Sequence, residues 1–351
     1  MTESENSNRK LAIHDSGTGF VPRWIDYCIA EGIQYKLVDC HKNDIVQQLE
    51  SCCALLWHYS QSDPKDVLLA RQILSALEHS GFAVFPDFRT AWHFDDKVGQ
   101  KYLLEVLGIP TLDAHVFVER DKALNWATKA TYPKVFKSRH GAGSSNVQLV
   151  TSAAQAKRLI RKAFGHGFSV YRPWQNLQDR YHKWQLGKSS ILNLIKGGLR
   201  FFYPPQFSQV LGRERGYVYF QEFAANNDSD VRVIVIGDKA FGIRRWVRPN
   251  DFRASGSGNF SYEPDFIDQD CIVMAFEAAK KIGGSCVALD FVRKEDGTPA
   301  VLEISYGFIA SVYDLCPGYW DVDLNWHAGP FSPQGWIADQ VLKRVSSSDT
   351  K

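Results

Sequence analysis

Asp290 and Glu303 are the two residues of this 351-residue chain whose types and spacing speak most directly of chemistry. They lie in two apolar runs, 286–292 and 299–305, on either side of Asp296-Gly297. Asp-Gly between alternating segments predicts a two-residue hairpin turn, because glycine accepts the positive φ that such a turn requires. Glu295 then pairs with Thr298, and counting outward sets Asp290 directly opposite Glu303. Opposed Cβ atoms of an antiparallel pair lie about 4.5–5.5 Å apart, and like charges there repel. Two carboxylates so placed call for a cation, and Ser305 points the same way because strand side chains alternate. An oxygen set of this kind suits Mg²⁺, which takes one or two protein carboxylates and completes its shell with water and substrate phosphate. Taken alone, the pattern equally describes a solvent-facing hairpin with hydrated acids.

A second stretch offers the matching phosphate chemistry. Thr131–Lys137 reads as a strand that delivers Lys137 into a Gly- and Ser-rich loop containing Gly141, Gly143 and Ser144, followed by a strand at 147–150. A lysine at a strand end leading into such a loop presents an ammonium and free backbone N–H groups to an anion. No Gly-Lys-Ser/Thr follows, so this is not a P-loop, and an ordinary hairpin turn explains the glycines as well. Further on, Asp230–Gly237 and Lys239–Val247 read as paired strands across Gly237-Asp238. Arg244, Arg245, Arg248 and Arg253 follow on the returning strand and its loop; guanidinium groups bind phosphate and carboxylate bidentately. Arg248 is read as lying on a solvated face.

The elements that must position these residues follow the same logic. Residues 11–85 alternate short apolar runs with helical segments: strands near 11–14, 33–38, 54–58 and 83–85, helices near 22–30, 43–50 and 63–79. That alternation predicts a small parallel sheet covered by helices. Asp63-Pro64 is a helix start, with Asp as cap and Pro in the first turn. Gly17-Thr18-Gly19, after the first strand, reads as a plain loop. Asp95-Asp96-Lys97 opens a helix that ends before Gly108.

Composition sets the class. A hydrophobic share of 44% and a charged share of 23% are ordinary for a globular protein. The net charge of +2 argues against bulk nucleic-acid binding. No apolar run approaches a membrane span, and the polar first ten residues do not read as a signal peptide. Seven cysteines without Cys-x-x-Cys point to a reduced, cytoplasmic setting.

Lys97, Lys137 with its loop, Gln221-Glu222-Phe223, Asp230-Val-Arg232, Asp251-Phe-Arg253, Asp290 and Glu303 occur in the order and approximate spacing of the ATP-grasp superfamily. Over roughly residues 90–310 the chain most resembles the branch containing the ribosomal-protein glutamate ligase and glutathione synthetase. The resemblance implies an α/β (α+β) fold in three units: an N-terminal parallel α/β pre-ATP domain (1–92), a central lid subdomain (93–220) and a C-terminal subdomain (221–351), the last two clamping ATP between antiparallel sheets. It implies that Lys97 and Lys137 hold the α and β phosphates, that Gly141, Gly143 and Ser144 cradle them, that the segment Gln221, Glu222, Phe223, Ala224 meets the adenine, and that Asp230 contacts the ribose. Asp290 and Glu303, with Ser305 where the branch usually carries Asn, would hold two Mg²⁺ ions, for which Mn²⁺ can substitute. Arg253, Arg245 and Arg232 would stabilise charge on the transferred phosphoryl group. The family reaction makes an acyl phosphate from a carboxylate, and an amine displaces the phosphate to leave an amide. A nucleotide-binding module without ligation is the reading of another class, hinted at by Ser305 alone.

Specificity is expected outside this common core. Residues 172–215 hold eight Lys/Arg against two acids, interleaved with aromatic rings such as Trp174, Tyr181 and Trp184. That mixture suits an anionic ring-shaped substrate: a uronic-acid glycan, a nucleotide-sugar, or a lipid-linked glycan at the inner membrane surface. A solvated insertion, RNA stacking or an acidic peptide tail would produce the same composition. The tail, 306–336, reads either as an acceptor-pocket wall offering Trp320, Trp326, His327 and Asp321, or as tryptophans packed back onto the core. It loosely resembles ATP-grasp proteins of surface-polysaccharide synthesis, which implies an amine joined to a sugar carboxylate; a peptide or protein terminus is the alternative acceptor.

Overall fold

A computed structural model describes residues 10–140, 147–169, 205–248 and 251–348, with 171, 174, 177, 180, 181, 184, 190–200 and 203 between them. The first unit is the expected parallel sheet. Strands β1 (Lys10–His14), β2 (Tyr35–Val38), β3 (Cys52–Leu56) and β4 (Ala83–Phe85) run in the order β2-β1-β3-β4. Helices Val21–Ala30 and Pro64–His79 connect them, the second capped by Asp63, whose carboxylate accepts from Lys65 N–H at 2.8 Å.

The second sheet is antiparallel. It is built from β5 (Ala114–Phe117), β6 (Lys134–Lys137), β7 (Gln148–Val150) and, after a short pair β8 (Phe168–Ser169) with β9 (Arg213–Glu214), β10 (Val218–Glu222), in the order β5-β10-β6-β7. Helices Arg120–Lys129 and Ala153–Phe164 cover one face through Ala127, Phe136, Ile160 and Phe220. Alternation turns Val135, Lys137, Tyr219 and Gln221 to the other face.

The third sheet contains β11 (Ser229–Ile236), β12 (Lys239–Trp246), β13 (Phe260–Ser261), β14 (Val287–Arg293), β15 (Pro299–Ser305), β16 (Gly318–Asp321) and β17 (Trp326–Ala328). They run β15-β14-β11-β12-β16-β17, with β13 on β12. One face packs Val231, Val233, Val235 and Leu289 against helix Gln269–Ile282. The opposite face changes character along its strands. At one end Ile234, Ile236, Phe241, Ile243 and Ala288 join the core of the first unit, with Tyr306 and the C-terminal helix residue Ile337. At the other end the same strands carry Asp230, Arg232, Arg245 and Asp290.

The hairpin of β14 and β15 sets Asp290 opposite Glu303 as expected, by a different route. Its loop has three residues rather than two: Lys294 N–H donates to Thr298 O at 2.9 Å and Gly297 N–H to Lys294 O at 3.0 Å. Gly297 takes φ +82°, the left-handed residue of a three-residue hairpin loop. The extra residue shifts the pairing by one, so Phe291 faces Val301. A bulge at Leu302 then restores the count before Asp290. Because only the left-handed backbone is at issue, with nothing within 4 Å of a Cβ at this position, Gly297→Val is expected to lower stability by about 1–2 kcal/mol, read from a urea titration. An unchanged midpoint would show that the turn tolerates another geometry.

The tail follows the packed reading. Trp320 and Trp326 lie with ring centroids 4.6 Å apart, tilted by 58°, and belong to the large sheet's core, and Tyr319, Phe331 and Trp336 pack beside Phe241 on its other face. His327 stacks on Tyr319 and pairs with Asp321 at 2.7 Å, on the β16–β17 edge. All seven cysteines are free thiols. Among the described residues no helix is long and apolar enough to cross a membrane.

Candidate nucleotide and metal site

Helix Lys97–Val106 starts the site. Asp96 caps it, accepting from Gly99 N–H at 2.9 Å, and this cap aims Lys97 inward, where it is buried and its Nζ lies 3.2 Å from Glu303 Oε1. Burial opposes the Lys97 ammonium, but Glu303 and Asp95 outweigh it and hold the pKa above the usual lysine value. Lys137, at the end of β6, is equally buried, and here burial wins over the attraction of Glu303, with Lys97 adding repulsion. Its pKa falls to about 8. Lys97 and Lys137 line one crevice together with Leu104, Tyr219, Gln221 and Leu302. Gln100, missed from sequence, accepts Ile304 N–H at 3.2 Å and so braces the metal-facing strand to this helix.

Across from the lysines the third sheet carries an ion-pair chain. Asp290 is bound by Arg232 (Nε–Oδ1 2.6 Å) and by Arg245 (Nη2–Oδ2 2.8 Å), and Arg245 also binds Asp230 through two contacts of 2.6 and 2.8 Å. Burial raises the cost of charge on Asp290, yet the two guanidinium groups hold its carboxyl below the usual carboxylate range. Three sets of expected site residues have partners within the protein. Asp230, expected against a ribose, is buried with both oxygens on Arg245. Arg232 and Arg245, expected at the phosphoryl group, are held by Asp290 and Asp230. Ser305 shares the Glu303 face but its hydroxyl closes a turn on Gly307, accepting its N–H at 3.1 Å, so the shorter side chain stops at its own backbone. These pairings escape a strand-by-strand reading because they join residues on three strands; their one sequence signal is the alternation of Asp230 and Arg232 on β11.

Arg253 is gripped by Asp251, at 2.6 Å between Nη2 and Oδ2. Phe252 packs edge-on against Phe223, which ties this arginine loop to the end of the Gln221–Ala224 segment. Glu222 sends its carboxylate to Lys134 on the opposite face, at 2.5 and 2.6 Å, leaving only its main chain for the crevice side. Arg248, half-buried, donates to the carbonyl of Gly256 at 2.9 Å in a solvent-exposed bond. Arg244 serves the fold, binding Phe266 O at 2.7 Å and Asp268 at 2.8 Å.

Gly141, Gly143 and Ser144 lie outside the described residues. The entrance to their loop is described, and it is clamped. Glu214, counted in the sequence only as one of the insertion's two acids, accepts from the backbone N–H of Arg139 and of His140, both at 3.0 Å, and meets His140 Nδ1 at 2.9 Å. Arg139 also binds Asp96, and its carbonyl accepts Lys97 N–H at 3.1 Å. The loop entrance and the two buried lysines are therefore one connected structure.

The donor set fits a magnesium nucleotide. Gln221 Oε1 and Ser138 Oγ are buried without a hydrogen-bond partner beside two buried lysines, and two carboxylates face them. Burying such atoms unpaired costs free energy unless a ligand supplies partners.

A model of the RimK-like ATP-grasp domain matches residues 205–308, the stretch that carries the ion-pair chain, Arg253, Asp290 and Glu303. This stretch is a RimK-like ATP-grasp domain. Over 230 residues the chain is 23% identical to the α-aminoadipate–LysW ligase LysX of Saccharolobus solfataricus, covering 65% of this chain and 67% of that one. The crystal structure of a RimK domain ATP-grasp protein from Sphaerobacter thermophilus superposes with a TM-score of 0.57 at 19% identity, covering 95% of this chain and 99% of that chain. The ATP-grasp ligase PsnB, complexed with a minimal precursor, does so with a TM-score of 0.54 at 15% identity over 96% and 99% of the chains. These structural likenesses establish the fold.

Proposed function

We propose that this ATP-grasp protein is an ATP-dependent ligase that joins a carboxylate to an amine with release of ADP and phosphate. The observation that carries the reading is the pairing of Asp290 with Glu303 on one face, opposite a crevice holding buried Lys97 and Lys137. A carboxylate oxygen attacks the γ-phosphorus and ADP leaves; an amine then attacks the acyl carbon and phosphate leaves with the acyl oxygen. Lys97 and Lys137 would neutralise phosphate oxygens, Asp290 and Glu303 would hold Mg²⁺, and Arg253 would meet charge on the transferred group. Bound Mg²⁺ supplies charge neutralisation at the β and γ phosphates. The chain's own task is positioning and exclusion of water, since an acyl phosphate hydrolyses. In this reading residues 1–92 present the carboxylate, 93–220 close over the nucleotide and 221–351 carry the metal.

For the carboxylate, the basic and aromatic residues of 172–215 support a uronic-acid sugar of a surface polysaccharide, free, nucleotide-linked or lipid-linked. The relatives support a second acceptor, a peptide or protein carboxylate, since PsnB was solved with a precursor peptide. ADP release with Mg-ATP against pooled amines and pooled uronic acids or peptides tests both, with Glu303→Gln as control. Release that one acceptor pool stimulates in the native protein and not in Glu303→Gln is expected. Failure to bind Mg-ATP would overturn the reading.

A further inference from the structure

The segment between β8 and β9 contains a helix with its faces reversed. In Ile191–Leu199 the buried position is Gly197, where a Cβ would stand 3.2 Å from Leu177 Cδ1 and closer still to the Arg180 side chain. The helix therefore rests its glycine on Leu177 and Arg180, and Arg180 donates to Asn193 O at 2.9 Å. Ile191, Leu192, Ile195 and Leu199 form a stripe about 100° wide at the helical period and are 54–65% exposed. Trp174, Trp184 and Tyr203 are exposed in the same segment. A helix that buries glycine and shows solvent its aliphatic side chains is built for a partner.

The surrounding charge says which. Lys196 and Arg200 stand on and just beyond the helix, and residues 172–215 hold eight Lys/Arg against two acids. An aliphatic stripe fringed by cations, with tryptophan and tyrosine close by, matches the headgroup boundary of an anionic bilayer. Aliphatic groups enter the acyl region there, amphipathic rings sit at the interface and ammonium or guanidinium groups meet phosphate. An acidic peptide would satisfy the cations but does not call for four outward aliphatic residues on one stripe. We propose that this face docks the protein on an anionic lipid surface. The interaction is peripheral and reversible.

Co-sedimentation of the full chain with phosphatidylglycerol-containing vesicles, against pure phosphatidylcholine vesicles, tests this. The native protein is expected to bind the anionic vesicles and to leave the neutral ones in large part unbound, with binding that weakens as salt rises. Ile195→Glu/Leu199→Glu is expected to lower the partition at least about tenfold. Lys196→Glu/Arg200→Glu is expected to lower it on anionic vesicles only. All these positions are exposed, and an unchanged thermal midpoint and Mg-ATP affinity confirm that each variant is folded. The proposal is overturned if native protein stays in the supernatant with anionic vesicles, if the Ile195→Glu/Leu199→Glu variant binds them as native does, or if an acidic peptide binds the face while vesicles do not.

Discussion

Asp290→Ala is expected to lose about 3–5 kcal/mol of folding stability, because removing one member of a buried ion-pair network leaves the others uncompensated. Without it, the half-buried Arg232 and the buried Arg245 share the single charge of Asp230. Nucleotide turnover should fall with it. Glu303→Gln separates the two effects. Its carboxylate is a third exposed and pairs with Lys97 at 3.2 Å, so stability should fall by less than in Asp290→Ala while turnover falls by about 10²–10³-fold. The double variant Asp290→Ala/Arg232→Met restores the charge balance around Arg245 and should recover much of the lost stability with none of the activity. Urea titration and ADP release on the same preparations check all three. A native midpoint for Asp290→Ala would mean that the ion-pair chain does not hold the sheet together.

Lys137→Met should weaken Mg-ATP binding about 10- to 150-fold, the range of a lost charge-assisted hydrogen bond, and should also remove a pH dependence. Burial holds the ATP-free Lys137 at about 8, and phosphate beside it favours the charged form. Above pH 8 the free protein has lost this proton and binding must take one up, so native affinity falls as pH rises, by up to tenfold per unit. Folding stability moves the other way in the absence of nucleotide. The folded group titrates near 8 and the unfolded one near the ordinary lysine value, so the unfolded chain binds more protons between them and stability rises with pH across that window. Lys97, whose folded pKa is raised, contributes the opposite trend at higher pH. Calorimetry of native protein and Lys137→Met across pH 7–9.5 in two buffers reads the proton uptake directly. Equal pH slopes in the two proteins would assign the titration elsewhere.

Where periodicity is strong, the sequence reads through to the structure. All four strands of the first sheet, the paired strands at 229–246 and the helix opened by Asp96 stand within a few residues of expectation, because alternation and caps are local properties. The Asp290–Glu303 pair was legible for a less sound reason: a turn one residue too short and a bulge left unseen cancel in the count. Glu214 and Gln100 were not legible. Each acts on backbone groups far away in the chain, and a residue that binds main chain carries no partner type to search for. Asp230 was assigned to a ligand because the family pattern marks the position without saying that Arg245, fifteen residues later, takes both of its oxygens.

The paired offsets in the hairpin bear on how this protein can change length. Removing one residue from the 295–297 loop shortens it inside the same Lys294–Thr298 closing pair and leaves every pair beyond it in place. Losing the bulge while keeping its residue in the ladder is different: Leu302 would then face Asp290, and Glu303 would turn to the helix-covered side of the sheet. Among descendants of this chain the turn is therefore free to vary in length, whereas an alignment that places Leu302 in register with Asp290 will misplace a metal-facing carboxylate.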